Sequence, residues 1–256
     1  MAEGAPETGP ETGPGTVAGA GRAVRRSPLG GFAPVAGERV RMAETPFLAQ
    51  VDVRADPLGE AAAGLAAALG TPLPVRPGTY TGPVTGYPPC SVFWLGPDKW
   101  LVVGAEGGTP QEGGPPGGGA AAGGSGPPGG SGTLGGGAAA GGSGPSGGSG
   151  APGESGLAAR LRAAAGDGHA AVTDVSAQRT VIRLAGPAAR DVLAHGCPLD
   201  LHPRVFGPGT CARSTLARAD VLLAAGEDEE FQIFVRSSFA AYLWAWLLDA
   251  ATEYLR

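Results

Sequence analysis

Apolar and polar residues alternate over the stretch 45–54, and this period of two predicts a half-buried β-strand. Ala49, Val51 and Val53 fall on one side, and Gln50 and Asp52 fall on the other. Successive side chains of a strand point to opposite faces of its sheet, so the alternation places the three apolar residues against a core.

The elements that follow are marked by caps and turn residues. Asp56 and Pro57 predict the start of a helix, as N-cap and first helical residue, and Gly70 predicts its stop. After an irregular connection over 72–89, the runs SVFWLG and KWLVVG predict a β-hairpin that turns around Pro97. The N-terminal half is therefore expected to contain both strands and a helix.

The second half predicts a longer series of elements. Its caps and periodicity indicate a helix over 154–165, strands over 171–175 and 180–184, a helix from Gly186-Pro187 to a stop at Gly196, strands over 214–224 and 231–236, and a last helix capped by Ser237 or Ser238.

The last helix is apolar on two sides. One stripe at helical spacing comprises Phe239, Tyr242, Leu243, Trp246, Leu247 and Ala250. A second stripe, on nearly the opposite side, comprises Trp244, Leu248 and Leu255. We expect the first stripe to cover a sheet of this chain. The second needs another cover, either a second lobe of the chain or a partner, and its three residues are the candidate interface residues.

Composition divides the chain into segments. Its 256 residues include 48 glycines and 25 prolines, a share typical of partly disordered sequence. These residues concentrate in 1–43 and in 106–153, which we predict to be a disordered tail and a disordered Gly/Pro/Ala/Ser-rich insertion. The rest forms a predicted N-terminal lobe, 44–105, and a predicted C-terminal lobe, 154–256.

Charge and cysteine content exclude several classes of protein. A net charge of −5 argues against a nucleic-acid partner, since such proteins usually carry a basic surface. The longest strongly apolar helical run, 239–248, is about half the length that crosses a bilayer. The first residues do not resemble a secretory leader, and three cysteines form no disulfide framework. A cytoplasmic protein without a membrane partner is predicted.

Candidate catalytic and metal-binding groups are few. His195, Cys197, His202 and Cys211 lack the closely spaced pairs typical of zinc sites, so no metal is predicted. Cys197 beside His195 could form a nucleophilic pair, but a histidine at a helix C-terminus followed by a buried cysteine is the favoured interpretation.

Two further features of the sequence are candidates for a site. Asp174 and Arg179 flank the junction of two strands, where a hydrogen-bonded turn is favoured over a ligand cleft. The acidic run 227–230 is typical of a solvated turn. No glycine-rich nucleotide motif or nucleophile elbow is present, so no catalytic and no cofactor-binding residue is assigned.

Several segments resemble a known family. The stretch that begins VTDVSAQRTVIRLAGPAARDVL at Val172 is similar to the gamma subunits of heterotetrameric sarcosine oxidases. LGPDKWLVVG (95–104), GCPLDL (196–201) and SFAAYLWAWLLDAA (238–251) fit the same family. The resemblance covers most of 44–105 and 155–256, whereas the long tail and the glycine-rich block are unusual for it.

The resemblance implies a fold. The pattern DVS…VIRLAGPAA…VL is also similar to the folate-binding fold of the aminomethyltransferases of glycine cleavage. It implies an α+β fold of two small α/β-plait lobes, with antiparallel sheets and covering helices. It carries over no folate site, since no residue here matches one.

The resemblance also implies a function. Sarcosine oxidase oxidatively demethylates sarcosine to glycine, with hydrogen peroxide and either formaldehyde or 5,10-methylenetetrahydrofolate as further products. The expected partners are alpha, beta and delta subunits. FAD, FMN and NAD are expected in the alpha and beta subunits, with tetrahydrofolate as acceptor, and no cofactor in this chain. The gamma subunit is expected to be structural and non-catalytic. A stand-alone folate-binding one-carbon protein, or an adaptor of another assembly, are the alternatives.

Overall fold

A computed structural model describes residues 25–82, 90–105 and 155–255 of the chain. Over these residues two antiparallel sheets pack face to face, and a pair of helices covers the outer face of each sheet. The result is four layers, with one apolar core between the sheets and one between each sheet and its helices.

The strands of the described residues are β1 (Val35–Ala36), β2 (Arg41–Thr45), β3 (Leu48–Ala55), β4 (Tyr80–Thr81), β5 (Cys90–Gly96), β6 (Lys99–Ala105), β7 (Ala170–Asp174), β8 (Arg179–Ala185), β9 (Cys211–Leu216), β10 (Ala219–Ala225) and β11 (Glu230–Arg236). The α-helices are α1 (Glu60–Leu69), α2 (Gly156–Ala165), α3 (Ala189–Ala194) and α4 (Ala240–Ala251). Short 3₁₀ turns flank α4, at Ser237–Phe239 and Thr252–Tyr254. None of the helices in the described ranges has the length and hydropathy to span a bilayer.

The strand order confirms the expected α+β fold with antiparallel sheets. The six-stranded sheet has the order β1-β2-β8-β11-β10-β9, and α3 and α4 pack on it. The five-stranded sheet has the order β4-β5-β6-β3-β7, and α1 and α2 pack on it. Neighbouring strands are antiparallel throughout both sheets.

The two sheets do not coincide with the two predicted lobes. Strand β2 comes from the N-terminal half but pairs with β8 in the six-stranded sheet. Strand β7 comes from the C-terminal half but pairs with β3 in the five-stranded sheet. The boundary at 154 was therefore wrong as a boundary between structural units, because the six-stranded sheet contains β1 and β2 from the N-terminal half and the five-stranded sheet contains β7 from the C-terminal half.

The predicted tail is shorter than expected. Its part from residue 25 onward is described, and it contains β1 and the first residues of β2. Leu29, Val40 and Met42 are buried there, at 2%, 0% and 2% exposure, although glycine and proline surround them. The prediction of disorder was wrong over 25–43. Residues 1–24 and the predicted insertion 106–153 lie outside the described residues.

Local signals predicted most elements, but they placed the start of α1 too early and missed one turn. Helix α1 begins at Glu60 after Gly59, without a side-chain cap hydrogen bond, so the predicted N-cap Asp56 and first helical residue Pro57 lie before the helix. Helix α1 ends at Gly70, which has the left-handed φ of 67° that favours glycine, as predicted. The hairpin of β5 and β6 is confirmed. The single strand predicted over 214–224 is instead the hairpin of β9 and β10, which turns at Ala217 with a φ of 54°. This turn contains no glycine or proline, so the sequence offers no turn residue there and the two strands were read as one.

Aromatic side chains join the two sheets. The Phe93 ring lies 5.0 Å from the Tyr80 ring and 5.0 Å from the Phe234 ring, measured between centroids. The Tyr80 hydroxyl donates a hydrogen bond of 2.8 Å to the Ala225 carbonyl of the other sheet. Burial raises the pKa of Tyr80, so the hydroxyl keeps its proton and the hydrogen bond. These contacts fix the sheets relative to each other.

Candidate interface on helix α4

The buried side of α4 lies between the two apolar stripes seen in the sequence. Leu243 and Leu247 are fully buried against the six-stranded sheet, and Trp244 is only 3% exposed. Since Trp244 belongs to the same core, the prediction that its stripe faces outward was wrong for this residue. The centres of the two stripes lie on nearly opposite sides of the helix. The side of the helix between them, which contains Leu243, Trp244 and Leu247, packs on the sheet.

A segment near the N-terminus, residues 27–40, supplies the cover that the second stripe requires. The Phe32 ring lies 6.0 Å from the Trp244 ring between centroids. Leu255 is half-buried, and a Cβ added at Gly37 would lie 2.9 Å from its Cδ2. The Arg39 guanidinium lies 5.2 Å from the centroid of the Tyr254 ring. Leu255 is thus in contact with the chain itself, and the cover comes from a part predicted to be disordered.

Three large apolar side chains of α4 and of the 3₁₀ turn before it are exposed to solvent. Phe239 is 43% exposed, and Tyr242 and Leu248 are each 41% exposed. The rings of Phe239 and Tyr242 stand nearly perpendicular, with centroids 6.4 Å apart. Leu248 stays a predicted interface residue. The sequence placed Phe239 and Tyr242 on the sheet-facing stripe, but their exposure in the structure shows that they point to solvent instead.

The start of α4 is fixed by the rest of the fold and not by a side-chain cap. Neither predicted cap, Ser237 nor Ser238, caps this helix, which has no side-chain cap hydrogen bond. The Ser237 N–H donates instead to the Gln178 carbonyl, and its hydroxyl donates to the Ala177 carbonyl, both at 3.0 Å. The turn between β7 and β8 therefore positions the helix and its exposed aromatic residues.

The same turn contains Asp174, whose carboxylate accepts two backbone hydrogen bonds. One comes from the Ser176 N–H at 2.9 Å and the other from the Ser155 N–H at 2.7 Å, just before α2. This confirms the interpretation of Asp174 as a turn residue. Burial opposes ionisation, but the hydrogen bonds from Ser155 and Ser176 outweigh it and lower the pKa of Asp174 to about 2.

Replacing Asp174 by asparagine is expected to change the pH dependence of stability. The folded pKa of about 2 lies below the ordinary 3.8, so the ionised carboxylate stabilises the fold above about pH 4. That contribution is lost as the pH falls from 4 to 2. Urea unfolding at several pH values should show a less stable variant at pH 7 and a difference that disappears near pH 2. Asp167→Asn, at an exposed position, should follow the wild type.

The acidic run 227–230 is not simply solvated, contrary to prediction. Glu230 is buried and pairs with Arg183 through two hydrogen bonds of 3.0 and 2.6 Å. Glu229 pairs with Arg190 at 2.5 Å. A bidentate guanidinium–carboxylate pair is among the stronger charged contacts, so these residues hold the turn before β11.

The structure does not bring His195, Cys197, His202 and Cys211 together into one cluster. Cys197 is buried in the core beneath α3 and α4, whereas Cys211 is buried between the sheets, where burial raises the pKa of its thiol to about 12. The His195 side chain points to Glu253, with 3.4 Å between Nε2 and Oε1. Within the described ranges, no cluster of three His, Cys, Asp or Glu residues is placed to hold a metal.

Comparison with known proteins assigns the family. The chain is 34% identical, over 236 residues, to the sarcosine oxidase subunit gamma of Corynebacterium sp. (strain P-1), covering 90% of this chain and 92% of that protein. The chain belongs to the sarcosine oxidase gamma subunit family. The family model for sarcosine oxidase, gamma subunit family, matches residues 149–253, which contain three of the four segments on which the resemblance was based. The gamma subunit of Arthrobacter sp is also 34% identical, over 215 residues, covering 84% of this chain and 81% of that protein.

A solved structure shows the same fold. A chain of the heterotetrameric sarcosine oxidase from Corynebacterium sp. U-96 matches with a TM-score of 0.67 and 33% identity, covering 91% of this chain and 97% of that chain. The gamma-subunit fold expected from the resemblance is thereby confirmed. An aminomethyltransferase T from Bartonella henselae matches with a TM-score of 0.49 and 14% identity, over 83% of this chain and 46% of that chain, which is too weak to support a conclusion.

Proposed function

We propose that this chain is the gamma subunit of a heterotetrameric sarcosine oxidase and that it acts in assembly, without catalytic residues of its own. The observation that supports this is structural similarity over 91% of this chain, which covers 97% of a chain of the Corynebacterium heterotetramer. The assembled enzyme would oxidise sarcosine to glycine, with hydrogen peroxide and formaldehyde or 5,10-methylenetetrahydrofolate as products. FAD, FMN and NAD would be bound by its alpha and beta subunits.

The state of the reactive side chains supports a structural role. The three cysteines are buried, and burial raises the pKa of Cys90 and Cys211, which keeps these thiols protonated and unreactive. Asp174, Glu229 and Glu230 are engaged in hydrogen bonds or ion pairs that stabilise turns. Groups used in this way are poor candidates for proton transfer.

The exposed side of α4 is the surface that we assign to a partner subunit. Phe239, Tyr242 and Leu248 present large apolar side chains to solvent. Aromatic residues of this kind are enriched where interfaces gain most of their binding energy. We propose that an alpha, beta or delta subunit covers this surface in the complex.

Replacing Tyr242 by aspartate is expected to weaken assembly without unfolding the chain. The loss of a central aromatic contact costs about 2 kcal/mol, which corresponds to roughly thirty-fold in affinity. The measurement is co-purification of the tagged chain with co-expressed alpha, beta and delta subunits, together with peroxide formation from sarcosine.

The matched control is Leu58→Asp, which makes the same kind of change at a side chain that is 95% exposed beside α1. It should assemble as the wild type does. If Tyr242→Asp assembles equally well, this surface is not the contact. A wild-type chain that never co-purifies with the other subunits would refute the proposed function itself.

A further inference from the structure

A small pocket of about 100 Å³ opens between the two sheets at one end of the fold. Its floor is apolar and comes from the core between the sheets, at Leu101, Leu222 and Phe234. Its walls and rim carry charged side chains from both sheets: Lys99, Arg179, Arg213, Asp220 and Arg236. Four of these five are cations, in a chain whose net charge is −5.

Strand register explains why the arginines meet. Arg236 of β11 lies directly opposite Arg179 of β8, and Arg213 of β9 lies directly opposite Leu222 of β10. Since side chains two residues apart share a face, Arg236 follows Phe234 onto the side that faces the other sheet. Like charges directly opposite each other on neighbouring strands repel, so this pair by itself destabilises the fold.

The charges of the cluster are incompletely paired within the described residues. The Arg179 Nη1 atom is buried and has no hydrogen-bond partner there. Asp52 pairs with Lys99 at 3.1 Å, and its other oxygen is also buried without a partner. Burial lowers the pKa of Arg179; Asp52 opposes this shift, and Arg236 and Arg213 add to it. A guanidinium placed among other cations therefore has a donor that is free to bind an anion.

A buried hydrogen-bond donor without a partner and two like charges that face each other both lower the stability of a fold, so folded proteins usually avoid them. Local violations of this kind are concentrated at functional sites, where a ligand compensates them. Guanidinium groups bind planar oxyanions through two parallel hydrogen bonds, which a carboxylate matches in geometry. The apolar floor favours an anion with a short hydrocarbon part.

We propose that this pocket binds a small organic carboxylate, with its oxygens at Arg179 and Arg236 and its hydrocarbon part against Phe234. The volume corresponds to roughly seven to ten water-sized spheres, so a ligand of only a few non-hydrogen atoms fits. Asp220 at the rim disfavours anions with more than one charge. The residues named here all lie in this chain, and the site goes beyond its proposed role in assembly.

The test is thermal unfolding of the full chain at constant ionic strength, with sodium propionate replacing sodium chloride. Constant ionic strength removes the general screening of the arginine charges. Once propionate exceeds its Kd about tenfold, the unfolding temperature is expected to rise by about 3–6 °C. Inorganic phosphate is run as a second anion and should give a smaller rise.

Arg179→Met and Arg236→Gln should each abolish the propionate effect. Arg236 is exposed, so its variant retains the fold even if Arg179→Met does not. Arg218→Gln, on the turn between β9 and β10, is the control and should keep the full effect. The proposal is overturned if propionate stabilises no more than chloride, if phosphate alone stabilises, or if Arg236→Gln responds like the wild type.

Discussion

Replacing Trp244 by alanine is expected to lower the free energy of unfolding by about 3–5 kcal/mol, the usual cost of truncating a large buried aromatic residue. Trp244 is 3% exposed and packs between Phe32 and the core beneath α4. The truncation would leave a cavity between the six-stranded sheet and the N-terminal segment 27–40. Urea unfolding followed by circular dichroism measures the effect directly.

Leu248→Ala provides the control on the same helix. Leu248 is 41% exposed, so its truncation should cost less than about 1 kcal/mol. Equal losses from the two variants would show that the Trp244 face is not the buried one. The double variant Phe32→Ala/Trp244→Ala should lose less free energy of unfolding than the sum of the losses of the two single variants, because the two rings are in contact.

Replacing Gly186 by alanine is expected to lower the free energy of unfolding by about 2–5 kcal/mol, from a steric clash and a strained backbone together. Gly186 has a φ of 115°, and a Cβ there would lie 2.4 Å from the Arg39 carbonyl oxygen. That oxygen accepts a hydrogen bond of 3.1 Å from the Ala188 N–H, so it is not free to move away. Urea unfolding gives the difference.

Gly209→Ala separates the two contributions. Gly209 has a φ of 81°, but a Cβ there would meet nothing within 4 Å. Its variant should therefore show only the backbone cost, about 1–3 kcal/mol. If Gly186→Ala were no worse than Gly209→Ala, the close approach of Arg39 to the turn before α3 would not contribute to stability.

Most elements were predictable because their signals are local. The alternation around Val51 and the glycine stop at Gly70 act within a few residues, and the structure has β3 and α1 there. The burial of Leu29 and Val40 was not predictable, since it depends on contacts with residues far along the chain. Glycine and proline content indicates low intrinsic order, but it does not show whether distant elements supply a docking surface.

The candidate sites divide in the same way. Helical spacing showed which residues of α4 share a side, but not which side the sheet covers, so Trp244 and Tyr242 were assigned to the wrong environments. The arginine cluster is invisible in sequence because Arg179, Arg213 and Arg236 belong to three different strands. Only the pairing of β8 with β11, and of β9 and β11 with β10, brings them to one end of the fold. Family resemblance, in contrast, depends on contiguous residues and was readable directly.

The exchange of strands between the halves sets the order in which the chain can fold during synthesis. Strand β3 cannot complete its pairing until β7 has been synthesised, and strand β2 cannot until β8 has been synthesised. The N-terminal half therefore leaves the ribosome with one edge of β2 and one edge of β3 unpaired. The six-stranded sheet also lacks its central partner until β11 has been made. Pairing across such sequence separations is slow, because a long loop must close before any contact compensates for it. The five-stranded sheet can therefore be completed only after β7 has been made, and the six-stranded sheet only after β11, so both sheets form late in synthesis and the five-stranded sheet can form first.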